Sequence, residues 1–410
     1  MKIALNIEWI GARRGGAEKY AGAVARALLE AGHDVHLFAR GVDAGEVSEA
    51  ATVHEVAVRE LPLLGWLRTY RFAAASERAL REQNFDLIIG FNKTWYQDIY
   101  LAVAGAHPAS VDYSLERFRH PLVRVLHTAG KLLSPKQWFF RRIDSKQFGP
   151  YARPCTVVAP SELSAEHFRQ YHDLPPERIA VVYNGLERPK QTADTHTSRR
   201  RFRRELGLEN HDVALLFTAR NYALKGLEPL LEAFARVAAD CPQAVLVVCG
   251  SRRDRNFQRQ AATLGIADRV RFLGFIDDIH GCFAGCDAFV FPTFYDPCSL
   301  VVPEALGFGL PVITTQQNGA AELLTEGRDG FVVETPWQID DLAQHMTLLA
   351  NNDALRARMG AEAKRTAARA TMDIRMRELI ALLERHRASM ASHALVGPHV
   401  DHSRTRKRVA

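Results

Sequence analysis

Short apolar runs alternate with longer helical stretches almost from end to end of this chain, and that rhythm restricts its fold more than any other feature. In the first half the pattern predicts strands at 3–7, 34–38, 53–58, 87–90 and 156–159. Helices fall between them, including one at 17–31 that Gly32 closes. In the second half it predicts strands at 214–218, 244–249, 270–272, 288–291 and 312–314, with a helix at 226–240. Repetition of strand, helix and strand builds parallel sheets covered on both faces. The expected class is therefore α/β, with two doubly wound, Rossmann-like domains.

Length agrees with this division, since 410 residues need more than one domain and allow an ample core. The join is expected near Tyr183-Asn184-Gly185 and the polar stretch 188–199, and a long helical region at 339–388 closes the fold. The polar, basic stretch 393–410 is expected to be disordered. Six cysteines, at 155, 241, 249, 282, 286 and 298, form no C-x-x-C pair, which suits a reduced, cytoplasmic chain. Cys282 and Cys286 lie one helical turn apart, but no histidines complete a zinc set, so packing is their expected role. No run reaches the roughly 18 apolar residues that a membrane span needs, and Met1–Ile7 followed by Glu8 is a strand rather than a signal sequence. The net charge of +6 is modest. Without a zinc finger or an aromatic–basic recognition motif it predicts no nucleic-acid partner.

Chemistry concentrates at Asp296-Pro-Cys-Ser-Leu-Val-Val-Pro-Glu304, where two carboxylates lie eight positions apart. The stretch follows a predicted strand and leads into a short helix closed by Gly307 and Gly309, before the next strand. Such a loop sits at the carboxyl edge of a parallel sheet, where ligands bind. The amides of Ser299 and Leu300 would open the helix and attract phosphate, and the flanking acids can accept hydrogen bonds from sugar hydroxyls. Together these groups suit a nucleotide sugar. Gly15-Gly16, between the first strand and first helix, lets backbone approach a diphosphate or sugar, with an ordinary tight turn as the alternative. Arg220 and Lys225 follow the first strand of the second half and can hold a diphosphate, with solvated surface charge as the alternative. Gly250-Ser251 ends another strand at the same edge.

These phrases, with Ile89-Gly-Phe-Asn-Lys93, Asp98-Ile-Tyr100 and Asn221-Tyr-Ala-Leu-Lys-Gly226, resemble the retaining family-4 glycosyltransferases over roughly residues 1 to 385. The similarity is greatest to the bacterial lipopolysaccharide core glucosyltransferases, and Asp296 stands where the family's E-x7-E motif begins with Glu. The resemblance implies the GT-B fold: an acceptor domain over 1–185, a donor domain over 186–370, and a helix over 371–389 crossing back to the first domain. A tail at 390–410 would follow, disordered and basic. It implies that Glu304 binds the donor ribose, Asp296 contacts the transferred sugar, and Ser299, Leu300, Gly250, Gly15 and Gly16 line the donor site. Phe275 marks where relatives read the base through backbone groups. Lys225 and Arg220 would offset charge on the departing nucleotide. His107 would approach the reacting centre, with Asp98 as the rival acid, while Asn92 and Lys93 would contact the acceptor.

The resemblance further implies a hexosyltransferase that takes a nucleotide diphosphate sugar, UDP-linked, with no cofactor and no metal. Asp277-Asp278 is an adjacent pair rather than a D-x-D motif. Glucose transfer to lipopolysaccharide core is the leading reading. A different polymer or soluble acceptor is the alternative, as is a noncatalytic sugar-nucleotide or glycan-binding protein. Residues 113–148 hold eight Lys/Arg against two acids, together with Trp138-Phe139-Phe140. This composition suits an anionic membrane surface, hence a peripheral location on the inner face of the cytoplasmic membrane. The alternative is a set of ordinary helices with Trp138 and Phe139 in the core.

Overall fold

In the computed structural model the description covers residues 1–11, 15–43, 45, 47, 49–59, 64–187, 195–252, 254–276 and 279–395. Asp277, Asp278, residues 188–194 of the expected linker and residues 396–410 of the expected tail lie outside it. Strands of the first half are β1 (Lys2–Asn6), β2 (Trp9–Ile10), β3 (Asp34–Ala39), β4 (Gly41–Val42), β5 (Thr52–Glu55), β6 (Leu87–Phe91), β7 (Ile99–Leu101), β8 (Thr156–Ala159) and β9 (Ile179–Val181). Strands of the second are β10 (Val213–Thr218), β11 (Ala244–Cys249), β12 (Val270–Gly274), β13 (Ala288–Phe291), β14 (Val312–Thr315) and β15 (Gly330–Val333).

Two parallel sheets result, ordered β5-β3-β1-β6-β7-β8-β9 and β12-β11-β10-β13-β14-β15, while β2 and β4 form a small pair of their own. Central strands are mostly apolar because helices cover both faces. All six residues of β10 are buried, as are all five of β6. In each sheet the chain starts centrally, builds to one side, then returns to build the other. The reversal falls between β1 and β6, where Ile3 pairs with Leu87, and between β10 and β13, where Leu215 pairs with Ala288. At such a switch point adjacent loops diverge and leave a crevice at the carboxyl ends of the strands.

The helices of the first domain are α1 (Gly16–Glu30), α2 (Gly65–Arg81), α3 (His107–Tyr113), α4 (Pro121–Leu132), α5 (Pro135–Phe148) and α6 (Glu162–His172). Those of the second are α7 (Thr195–Glu205), α8 (Leu227–Asp240), α9 (Arg255–Thr263), α10 (Ile279–Gly285), α11 (Val301–Gly307), α12 (Ile339–Ala350) and α13 (Asp353–Arg369), followed by α14 (Met372–Leu395). The long helical region expected at 339–388 is made of three helices. Asn352 accounts for one break, its side chain accepting from the Leu355 amide to cap α13. Helix α14 returns to the first domain, burying Met376, Leu379 and Leu383 against Leu5, Leu28 and Val182. It runs to Leu395, so 390–395 is helical rather than disordered tail.

The sequence pattern missed β7, β9 and β15, each three or four residues long. All six cysteines are buried and none is in a disulfide. Among the described residues no helix is long and apolar enough to cross a membrane.

Candidate active site

Both switch points carry the phrases singled out in the sequence. Gly15-Gly16 opens α1 and Asn92-Lys93 follows β6, while the Arg220–Lys225 loop follows β10 and the 293–300 loop follows β13. The two domains meet there. A Cβ on Gly16 would stand 3.3 Å from Leu300 Cδ1, so the glycine turn of one domain abuts the α11 entry of the other.

Lys225 and Asp296 come together as an ion pair. Lys225 Nζ donates to Asp296 Oδ2 at 2.7 Å and to the Tyr295 carbonyl at 2.8 Å. Their side chains are 18% and 16% exposed, recessed yet reachable. The Cys298 amide donates to Asp296 Oδ1 at 3.2 Å, and the Asp296 amide donates to the Gln317 carbonyl at 2.9 Å. Ser299 is held by Asn318, whose Oδ1 accepts the Ser299 amide at 3.3 Å and whose Nδ2 donates to Ser299 Oγ at 3.1 Å. Sequence reading passed over Asn318, although its place just past β14, at the same sheet edge, was a usable signal.

Glu304 sits in α11 at the domain boundary, in a small crevice lined by Lys19, Tyr20, Leu186, Glu187 and Leu300. Desolvation raises its carboxyl above the ordinary range; the Lys19 cation opposes the shift and Glu187 adds to it. Lys19 is paired with Glu187 at 2.9 Å. Neither residue stood out in the sequence, because nothing local marks a pair 168 positions apart.

Arg220 is exposed two residues beyond β10. Gly250 has φ +106°, and a Cβ there would lie 2.6 Å from the Ala219 carbonyl, so this close approach beneath Arg220 needs glycine. Its amide donates to the Gly274 carbonyl at 2.7 Å, beside Phe275, whose ring is 50% exposed.

In the first domain, Asn92 has φ 52°, in the left-handed region, and its carbonyl accepts from Tyr100 Oη at 2.7 Å. Its Oδ1 is buried without a protein partner, as is Asp144 Oδ2. Lys93 Nζ donates to Asp144 Oδ1 at 3.0 Å, and burial lowers its pKa against the opposing pull of that carboxylate. His107 begins α3 and shares a 2.8 Å hydrogen bond between Nε2 and Gln137 Oε1. Burial, with the Lys93 cation adding, lowers its pKa to about 4, so the ring is neutral at physiological pH. Gln137 and Asp144 lie on α5 and were not foreseen.

Asp98 does not join this group. Its Oδ2 accepts the Ile88 amide at 2.9 Å, its Oδ1 accepts from Arg153 Nε at 3.0 Å, and the residue is 4% exposed. Both oxygens are engaged, tying β6 to the stretch that leads into β8.

In the basic segment some apolar side chains are exposed and others pack inward. Helix α4 buries no residue, and Leu122, Val125, Leu126, Leu133 and Trp138 are exposed. Phe139 turns inward instead, with its ring 4.6 Å from Trp66 and 5.2 Å from Tyr70 between centroids. Phe140 meets His107 edge-on at 5.1 Å. Among the described residues no group of three or more His, Cys, Asp or Glu could hold a metal ion.

Residues 14–188 match the family model described as Glycosyltransferase Family 4, and residues 198–366 match the one described as Glycosyl transferases group 1. The lipopolysaccharide glucosyltransferase WaaG of Escherichia coli (strain K12) is 22% identical over 344 residues, which covers 83% of this chain and 88% of that protein. A D-inositol 3-phosphate glycosyltransferase of Geodermatophilus obscurus is 27% identical over 372 residues, covering 84% and 79%. Among solved structures, WaaG superposes with a TM-score of 0.72 at 21% identity, over 89% of this chain and 95% of that one. HepE of Anabaena in complex with UDP-glucose gives 0.67 at 20%, over 94% and 99%. The two-domain arrangement of the chain is that of these proteins.

Proposed function

We infer that this chain, a glycosyltransferase of the GT-B fold, moves a hexose from a uridine diphosphate sugar to a membrane-bound glycan, retaining the anomeric configuration and using no metal ion. Glucose is the sugar and lipopolysaccharide core the acceptor this reading favours. The observation that carries it is the Lys225–Asp296 pair, recessed at one switch point in the loop whose Leu300 abuts the glycine turn of the other domain. An ammonium there can take up the charge that grows on a departing diphosphate, the role a divalent ion fills elsewhere. Glu304, held at raised pKa beside Lys19, suits acceptance of ribose hydroxyls once a nucleotide replaces the missing solvent. Support for a UDP donor comes from HepE, solved with UDP and with UDP-glucose.

In the proposed step the C1–O bond to the β-phosphate breaks and a C1–O bond to the acceptor hydroxyl forms on the same face. The acceptor proton passes to an oxygen of the departing diphosphate. His107, neutral, serves as a hydrogen-bonding group rather than a proton carrier. Asp296 contacts the sugar.

A location on the inner face of the membrane is supported by the exposed Leu122, Val125 and Leu126 of α4, beside the exposed cations Arg124, Lys136, Arg141 and Arg142. A second reading, a soluble phosphorylated acceptor, is favoured by the inositol 3-phosphate relatives. The test offers purified protein a panel of nucleotide sugars, following binding and slow hydrolysis, then adds lipopolysaccharide core or inositol 3-phosphate as acceptor. UDP-glucose should turn over with or without chelator. Failure to bind any nucleotide sugar would sink the donor reading, and loss of activity with chelator would sink metal independence.

A further inference from the structure

We propose that Tyr295 is a positioning residue, an aromatic wedge through which the acceptor domain sets the placement of Lys225 and Asp296. The proposal rests on the reading of those two as donor-handling groups. Tyr295 belongs to the loop after β13, in the second domain, yet its side chain is 3% exposed among first-domain residues. It packs with Tyr100, Ala106, Ala109, Val157 and Phe168. Its ring stacks on Tyr113, with centroids 5.6 Å apart and planes 16° from parallel, and lies 5.7 Å from the His167 ring of α6. Gly105 leaves the room: a Cβ there would collide with the Tyr295 hydroxyl.

The backbone beside this ring holds the second domain's own cation on one side and meets the first domain on the other. The Tyr295 carbonyl accepts from Lys225 Nζ, whose second acceptor is the adjacent Asp296. One residue further, the Pro297 carbonyl accepts from Ser161 Oγ of the first domain at 2.6 Å. Three consecutive residues therefore combine a ring anchored in one domain with the carbonyl and carboxylate that hold the cation of the other. Rotation of the domains that displaced the ring would move Lys225's two acceptors with it. The anchor works by packing, because the Tyr295 hydroxyl is buried without a protein partner, as is His167 Nδ1. Stacked aromatic contact then supplies the attachment, and the hydroxyl is dispensable.

The deciding substitution is Tyr113→Leu, in the acceptor domain and outside the donor site. We expect hydrolysis of UDP-glucose to slow by about tenfold, since small misplacement of a catalytic group is costly. The dissociation constant for UDP should stay within about twofold, a few tenths of a kcal/mol. Tyr295→Leu should slow hydrolysis likewise, Tyr295→Phe should restore it, and the double Leu variant should be little worse than either single one, as coupled residues require. Multiplying losses, or native turnover in Tyr113→Leu, would overturn the wedge. A second measurement is independent of donor chemistry: amide hydrogen exchange over 293–298 in ligand-free protein should quicken in Tyr113→Leu, and unchanged exchange overturns the proposal. If native protein turns over no nucleotide sugar, the functional reading fails, and the exchange result alone decides the wedge.

Discussion

Replacing Asp296 by Asn should tighten the binding of UDP while it slows sugar transfer. In the ligand-free protein Lys225 is already neutralised by Asp296 at 2.7 Å, so an incoming diphosphate must compete with that carboxylate. Asn keeps Oδ1 as an acceptor for the Cys298 amide, which spares the loop. Its Nδ2 would meet Lys225 Nζ donor to donor, which releases the ammonium toward the cleft. A phosphate charge about 5 Å from Asp296 would be repelled by roughly 3 kcal/mol at an effective dielectric of about 20, and by about 0.8 kcal/mol in bulk water. With the pair 16–18% exposed, a relief of about 1–2 kcal/mol is expected, a roughly 5- to 30-fold gain in affinity. Titration calorimetry with UDP at low salt measures this, with thermal melting as a control. Loss of one charged hydrogen bond should cost about 2 kcal/mol of stability. The counterpart Lys225→Met should weaken UDP binding by about 1.5–3 kcal/mol. Unchanged or weaker UDP binding in Asp296→Asn would refute the idea that this carboxylate and the diphosphate share one cation.

Glu304→Gln should cost about 2 kcal/mol in donor binding, the worth of a charged hydrogen bond. Because the Glu304 carboxyl is raised, its ionised form is disfavoured in the fold, so the ligand-free variant should melt no lower than native protein at pH 7. For the same reason native donor affinity should fall, as pH drops, above the ordinary carboxylate range, a limb calorimetry should find missing in the variant. His107 has a folded pKa near 4 against 6.5, so stability present above pH 6.5 should be lost as pH falls from 6.5 toward 4, and melting of His107→Gln should lack that share of the loss. Replacing Arg141 and Arg142 by Glu should leave nucleotide affinity intact and weaken sedimentation with anionic vesicles, at about 1 kcal/mol per residue near the surface; native protein that ignores such vesicles at low salt would remove the membrane reading.

Local pattern alone determined the strands at 156–159, 244–249 and 288–291, which the structure reproduces to the residue. Those runs are buried on both faces, and their composition carries that information without help from distant residues. The same applies to the placing of Lys225, Asp296 and Ser299, because loops after the strands nearest a switch point lie at one edge of the sheet. Strands β7, β9 and β15 are legible only through their partners: β7 and β9 flank β8, β15 pairs with β14, and those ladders hold them extended. Side-chain roles divide in the same way. Asp98 and Lys93 look equally available along the chain, yet Arg153, 55 positions away, occupies Asp98. Gln137 and Asp144 join His107 and Lys93 only because α5 folds back over the edge of the first sheet. Tyr295 looks like an ordinary loop aromatic until the first domain encloses it. The sequence specified which elements form and which loops carry charge through short-range periodicity and steric preference; burial, pairing and the meeting of the two domains depend on contacts across hundreds of residues, and only the tertiary structure decided them.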